Sequence, residues 1–332
     1  MEGSTQLKAT ELDEEFRSRL DTALQHVMGR SVEVAMVDRS PSPFATLFPA
    51  EVLAVELVGG ERVSLFLKQL GEEEQADHPE KRCREREVRI YEQLLGDPAL
   101  PVAQFCGAER NQATRRHELF LEYVDGLTLN YQDLEHWLTA ARRLADLHAH
   151  FASRADSLVG CDFLLRIDAL HFREWGDRAV AAVASRSPGL AAKLERVTDH
   201  GDIPAQVLTA QTKTLVHNDL SPKNVIADPS ASPARICFVD WEMAGVGCGV
   251  MDIVHLKYGL DDEDDRRVRA AYCAELAGTD LLPSGRADLR SVFAASELHR
   301  TLHRLAHVNY WRTTLETVDQ WVADAHRLRK AV

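Results

Sequence analysis

The chain has 332 residues, too many for one compact core of ordinary size, so two lobes are expected and a single small binding module is excluded. Hydrophobic residues make up 45% and charged residues 27%, which excludes a largely disordered or fibrous chain. With 52 acidic against 39 basic residues the formal charge is −13, so the whole-chain field repels nucleic acid and anionic membrane surfaces rather than attracting them.

The amino terminus, MEGSTQLKATELDEEF, is polar and acid-rich where a secretory signal would need basic residues and then an apolar run. From residue 6 to about 29, Leu12, Phe16, Leu20, Leu24 and Val27 recur at spacings of three and four, predicting an amphipathic leading helix. The runs 32–37, 51–58 and 62–68 alternate or crowd apolar and β-branched residues, and Gly59-Gly60 marks a hairpin turn between the last two. A charge-dense stretch, 72–86, leads into EVRIYEQLL, where Glu87, Ile90, Tyr91 and Leu94 share one helical face. Two more strand-like runs, VAQFCGAE and HELFLEYV, end at Asp125-Gly126, the expected boundary between lobes. Beyond it the texture turns helical. Leu134, Trp137, Leu138, Ala141, Leu144, Ala145, His148 and Phe151 keep a 3.6 period, and further helices are expected near 163–183, 188–198, 264–277 and 285–330. Two short apolar runs, 214–217 and 235–240, interrupt them. The six cysteines are scattered, with no C-x-x-C pair, which argues against a zinc ribbon or a disulfide framework and fits a reducing cytoplasm. No apolar stretch reaches the length of a membrane span.

The segment LVHNDLSPKNVI places His217, Asp219 and Asn224 as H-x-D-x-x-x-x-N, and Asp240 follows at the end of the apolar run ICFV. Phosphoryl transfer needs one carboxylate aimed at the acceptor hydroxyl, with a second carboxylate and an amide oxygen to hold Mg²⁺ on the β- and γ-phosphates. Asp219, Asp240 and Asn224 supply those three groups. The spacing H-x-D alone is common; joined to the Asn and a strand-terminal Asp it is much more specific. The same template requires a strand Lys and a helical Glu upstream, and Lys68 and Glu87 are in place, although Glu87 sits among other glutamates that would form a solvated face. Phe66, two residues before Lys68, shares its sheet face and is positioned to cover an adenine ring.

These residues carry a resemblance. HNDLSPKN (217–224), VDWEMAGVG (239–247) and Asp252 in GVMDIVHL look like the aminoglycoside phosphotransferase and choline kinase-like branch of the protein-kinase fold, in which Trp follows the metal Asp and a further Asp lies about a dozen positions on. The likeness spans roughly 32–310. It implies an α+β, bilobal, kinase-like fold: residues 1–124 as a leading helix and a five-stranded antiparallel sheet with one helix, and residues 125–332 as a mainly helical lobe with the catalytic loop and the acceptor pocket. ATP or GTP would bind between the lobes with Mg²⁺ on Asn224 and Asp240. Lys68, held by Glu87, would contact the α- and β-phosphates, backbone near Glu122 and Val124 would meet the purine edge, and Asp219 would orient the acceptor hydroxyl. The reaction implied is phosphate transfer to a small hydroxylated metabolite or antibiotic. Protein kinases place G-x-G-x-x-G over the phosphates; DRSPSPFATLFPA here has no glycine, leaving Ser42 and its small neighbours as backbone donors. With no A-P-E sequence, a protein substrate is disfavoured.

Several features admit two readings. Asp252 either holds the catalytic loop or touches metal. The row His299, His303, His307 has metal-ligand spacing, but it borders the burial stripe Leu298, Leu302, Leu305, which favours packing. The acidic run 261–265 is by default a solvated helix start; in an acceptor pocket it would suit a cationic acceptor. Two other functions stay open at this level: a nucleotide- or ligand-binding pseudokinase with a regulatory role, and a nucleotidyl transferase on the same scaffold.

Overall fold

A computed structural model of the chain describes residues 5–8, 11–42, 48–71, 85–111, 115–198, 203–283 and 285–332. The chain forms two compact units, Met1–Gly126 with Asp228–Glu242, and Leu127–Ala227 with Met243–Val332. The first thus takes back a later segment, 228–242, that a linear boundary at residue 124 leaves with the second. Among the described residues no helix is long and apolar enough to cross a membrane, and Cys106, Cys161, Cys237, Cys248 and Cys273 are free thiols.

The first unit contains β1 (Thr5–Lys8), α1 (Glu14–Met28), β2 (Val34–Pro41), β3 (Ala50–Leu57), β4 (Arg62–Leu70), α2 (Arg86–Gln93), β5 (Phe105–Arg110) and β6 (His117–Glu122). Its sheet has six strands in the order β1-β2-β3-β4-β6-β5, one more than expected. The extra strand is residues 5–8, which pair antiparallel with 36–39 instead of opening the leading helix. Four residues are too few for an alternation to be read against a neighbouring helical period. The helix starts at Glu14, where the Asp13 carboxylate accepts the Phe16 N–H at 3.0 Å. Its stripe Phe16, Leu20, Ala23 and Leu24 packs on Leu53, Val55, Leu65, Leu67 and Phe120 of the sheet. Arg19 on the same helix is buried and meets the buried Glu118 of β6 at 2.7 Å. With Leu65 and Leu67 in that core, the period of two turns Phe66 and Lys68 to the opposite sheet face, where both are half-buried. Gly59 and Gly60 turn the β3–β4 hairpin at φ 120° and 87°.

The second unit holds β7 (Leu127–Thr128), α3 (Leu134–Ala152), α4 (Ala155–Gly160), β8 (Leu165–Arg166), α5 (Ala169–Ala184), α6 (Pro188–Thr198), α7 (Ile203–Thr209), β9 (Lys213–Val216) and β10 (Val225–Asp228). After β11 (Arg235–Phe238), which lies in the first unit, come β12 (Gly245–Cys248), α8 (Val250–Leu256), α9 (Asp262–Glu275), α10 (Arg286–Ala306) and α11 (Leu315–Arg329). Leu298, Leu302 and Leu305 of α10 pack with α5, α6 and α11 in one apolar cluster. A small sheet, β8-β12-β9, carries the catalytic-loop candidate at the end of β9. Its central strand is glycine-rich because the neighbours come close: a Cβ on Gly245 would lie 2.7 Å from the Leu165 carbonyl oxygen.

Candidate active site

Lys68 of β4, Glu87 of α2 and Asp240 come together within the first unit. The Lys68 ammonium donates to Glu87 Oε2 at 2.7 Å and to Asp240 Oδ1 at 2.6 Å. Glu87 is 2% exposed, whereas Glu85 and Glu92 on the same segment are exposed, so register does select one glutamate of the cluster. Its second oxygen accepts the Trp241 N–H at 3.2 Å. One buried carboxylate therefore orients the lysine and pins the residue after Asp240. Asp240 itself sits at φ 70°, a left-handed conformation sparsely populated by residues with a Cβ. Trp241, fully buried with its indole N–H on the Phe238 carbonyl, anchors the turn. Arg86 adds a clamp the sequence analysis missed, donating to the Glu242 carbonyl at 2.6 Å. Only its place beside Glu87 on a buried face could have signalled it.

Electrostatics follow from this packing. Burial opposes the Lys68 charge, but the Asp240 and then the Glu87 carboxylates outweigh it and hold the ammonium well above the ordinary lysine range. Glu87 is pushed from the usual 4.5 to about 7, by burial first; the Lys68 ammonium opposes that shift and the Asp240 charge adds to it. The Asp240 charge that adds to this rise would be relieved by a cation bound beside it.

The remaining donor-side candidates stand as follows. Ser42 is buried and its N–H closes the β2–β3 hairpin on the Ala50 carbonyl at 2.8 Å, so that backbone donor is already engaged. Residues 43–47 of the glycine-free loop lie outside the described residues. Glu122 is the first of the two residues expected near the purine edge. Its N–H bonds the Gln104 carbonyl at 2.9 Å, and its carboxylate takes the Arg235 guanidinium through two bonds, which lowers its pKa. Pairing at the end of β6 thus engages the Glu122 N–H. Val124, two residues on, is buried, and no partner for its N–H is found among the described residues.

In the second unit the loop after β9 is closed on itself. Asn218 adopts φ 63°. The Asp219 carbonyl accepts the Ser221 N–H and the Asn224 amide N–H, each at 2.8 Å. That bond fixes the Asn224 amide with its nitrogen inward on the loop, so its oxygen is the end left to act as an acceptor. Asp252, fully buried on α8, accepts the N–H groups of His217 at 2.7 Å and Asn218 at 2.9 Å. His148 of α3 lies 3.2 Å from the same carboxylate, with its other ring nitrogen 2.8 Å from the Tyr272 hydroxyl. Asp252 is thus a loop holder, and His148 and Tyr272 are its partners. Sequence periodicity marked His148 only as a core position.

His307 is buried against the rings of Trp175 and Trp311, His299 is buried against His171 and Phe172, and the His303 ring lies 4.1 Å from the Trp175 ring. No cluster of three metal-ligating side chains occurs among the described residues. In the acidic run, Asp261 caps α9 through the Glu263 and Asp264 N–H groups, and Asp265 pairs with Arg269 at 2.8 Å. Helix start and ion pairs account for those charges.

A family model described as the phosphotransferase enzyme family matches residues 50–292. Among solved structures, a microcompartment-associated aminopropanol kinase is similar at TM-score 0.59 and 18% identity, over 88% of this chain and 90% of that one. A Plasmodium vivax ethanolamine kinase gives TM-score 0.56 at 13% identity, over 89% and 83%. An aminoglycoside phosphotransferase from Alicyclobacillus acidocaldarius gives 0.51 at 16%, over 88% and 89%. At these identities the likeness shows a shared kinase-like fold. A search of curated proteins finds no match.

Proposed function

The chain belongs to the phosphotransferase enzyme family, and from that premise we propose that it moves the γ-phosphate of ATP or GTP onto a hydroxyl of a small metabolite or antibiotic. The observation that carries the reading is the Lys68 ammonium bridging Glu87 and Asp240 at 2.7 and 2.6 Å. That triad has the composition phosphoryl transfer requires on the donor side, a fixed cation beside a metal-binding carboxylate.

In this reading Lys68 contacts the α- and β-phosphates, Phe66 covers the adenine ring, and the Val124 N–H meets the purine edge. Asp240 of the first unit and Asn224 of the second each offer an oxygen, carboxylate and amide, of the kind a hard divalent cation such as Mg²⁺ takes. Bound there, the ion would neutralise charge on the β- and γ-phosphates. Asp219 orients the acceptor hydroxyl. As the acceptor oxygen bonds to γ-phosphorus and the bond to the bridging oxygen breaks, nucleoside diphosphate leaves and Asp219 takes the hydroxyl proton. Asp252, through the backbone of His217 and Asn218, keeps that loop in one conformation, which matters because positioning supplies most of the rate in so loose a transition state.

The test is turnover of Mg-ATP and Mg-GTP with a panel of hydroxylated metabolites and antibiotics, read by diphosphate release and by product mass. A product heavier by one phosphate is expected. A product heavier by a whole nucleotide would replace phosphoryl with nucleotidyl transfer, and nucleotide binding without any turnover would favour a regulatory binding protein.

A further inference from the structure

Arg300 and Arg304 stand one turn apart on α10, and both are half-buried. Arg300 donates to the Val254 carbonyl at 3.1 Å, and the two guanidinium carbons lie 5.9 and 5.5 Å from the centre of the Tyr258 ring. Arg304 also lies 5.9 Å from the Trp321 ring. Like charges at this spacing repel, and guanidinium groups removed from water are normally matched by carboxylates. Among the described residues no carboxylate comes within ion-pair distance of either one.

The nearby acids are engaged elsewhere. Glu297 pairs with Arg269 at 2.5 Å and with Lys257 at 3.3 Å. Asp324 takes Arg327 at 3.2 Å and Gln320 at 3.4 Å. The acid whose charge does reach Arg300 most strongly is Asp219. The local field stays positive: burial first, then the charge of Arg304, brings Arg300 down to about 9, and burial followed by Arg300, His299 and Arg304 holds the buried His255 neutral.

Resting on the phosphotransferase reading, we propose that Arg300 and Arg304 bind an oxyanion, carboxylate or phosphate, carried by the acceptor whose hydroxyl Asp219 receives. Two forked donors flanked by an aromatic ring suit such a group and would reject an ammonium. The acceptor class is therefore hydroxylated acids or phosphate esters. It differs from the amines named for the aminopropanol and ethanolamine kinases of the same fold, and the acidic run at 261–265, the sequence feature that suited a cation, is taken up by capping and pairing.

The test titrates inorganic phosphate and, separately, acetate into protein saturated with Mg-AMP-PNP, by calorimetry, so that the donor phosphate site is filled. Saturable binding of at least one anion is expected, weakened about tenfold in Arg300→Gln and in Arg304→Gln and partly kept in Arg300→Lys. Arg290→Gln, an exposed arginine on the same helix, should bind like wild type. The better-bound anion identifies the acceptor's acidic group. Absence of saturable binding of either anion, or binding as tight as wild type in both glutamine variants, overturns the inference; if Arg300→Gln does not fold, Arg304→Gln decides. Failure of Mg-AMP-PNP to bind would count against the phosphotransferase reading alone, because the anion titrations are read as the difference between wild type and the arginine variants, to which any anion bound elsewhere is common.

Discussion

At the scale of single residues, a carboxylate's neighbours decide what it does. Asp219 and Asp252 lie in the same unit, yet Asp252 is buried and bonded on both oxygens while Asp219 uses its backbone to close the loop. Replacing Asp219 by Asn keeps size and removes the proton acceptor. We expect kcat to fall about 10²–10⁴-fold with KM for nucleotide little changed; an equal loss in KM would point to binding instead. Glu87 supplies a second expectation. Its folded pKa of about 7 lies above the unfolded 4.5, so its contribution to stability is fully present below about 4.5 and is lost as pH rises through about 7. Denaturant unfolding at pH 5, 6, 7 and 8 should show wild type losing stability relative to Glu87→Gln across that window. A difference that stays constant with pH would contradict the raised value.

Elements carry these residues by their registers. The period of two in β4 puts Leu65 and Leu67 into the core and so sets Lys68 on the other face. The 3.6 period of α2 buries Glu87 with Ile90 and Tyr91. Both registers are legible in sequence because apolar side chains report burial directly. The Arg19–Glu118 pair is not legible: its members are 99 residues apart, and each is an ordinary charged residue until α1 packs on β6. Removing one partner strands a buried charge, so Arg19→Met should cost about 3–5 kcal/mol. Adding Glu118→Leu should recover most of that loss, measured by denaturant unfolding in a double-mutant cycle. Costs that simply add would show that the pair is not coupled.

For the whole molecule, the defining choice is that Asp240 folds into the first unit with Lys68 and Glu87, although it follows the catalytic-loop candidate in sequence. A ligand that binds only the folded state stabilises it by about 2.7 kcal/mol at a hundredfold excess over Kd. Mg-ATP should raise the unfolding temperature of wild type, and Asp240→Ala should lose the magnesium-dependent part of that rise while keeping its fold. An undiminished rise in the variant would remove Asp240 from the metal role.

From sequence alone came the kinase-like fold and the choice of Lys68, Glu87, Asp219, Asn224 and Asp240 as candidates, because burial periodicity and fixed motif spacing are local properties of a chain. Tertiary structure alone decided the sixth strand, the engagement of Glu122 with Arg235, the role of Asp252 as a loop holder, and the setting of Arg300 and Arg304 on the Val254 carbonyl and the Tyr258 ring. Each of these depends on which distant group ends up as the neighbour of a charge or of a hydrogen-bonding backbone, and no local pattern encodes that.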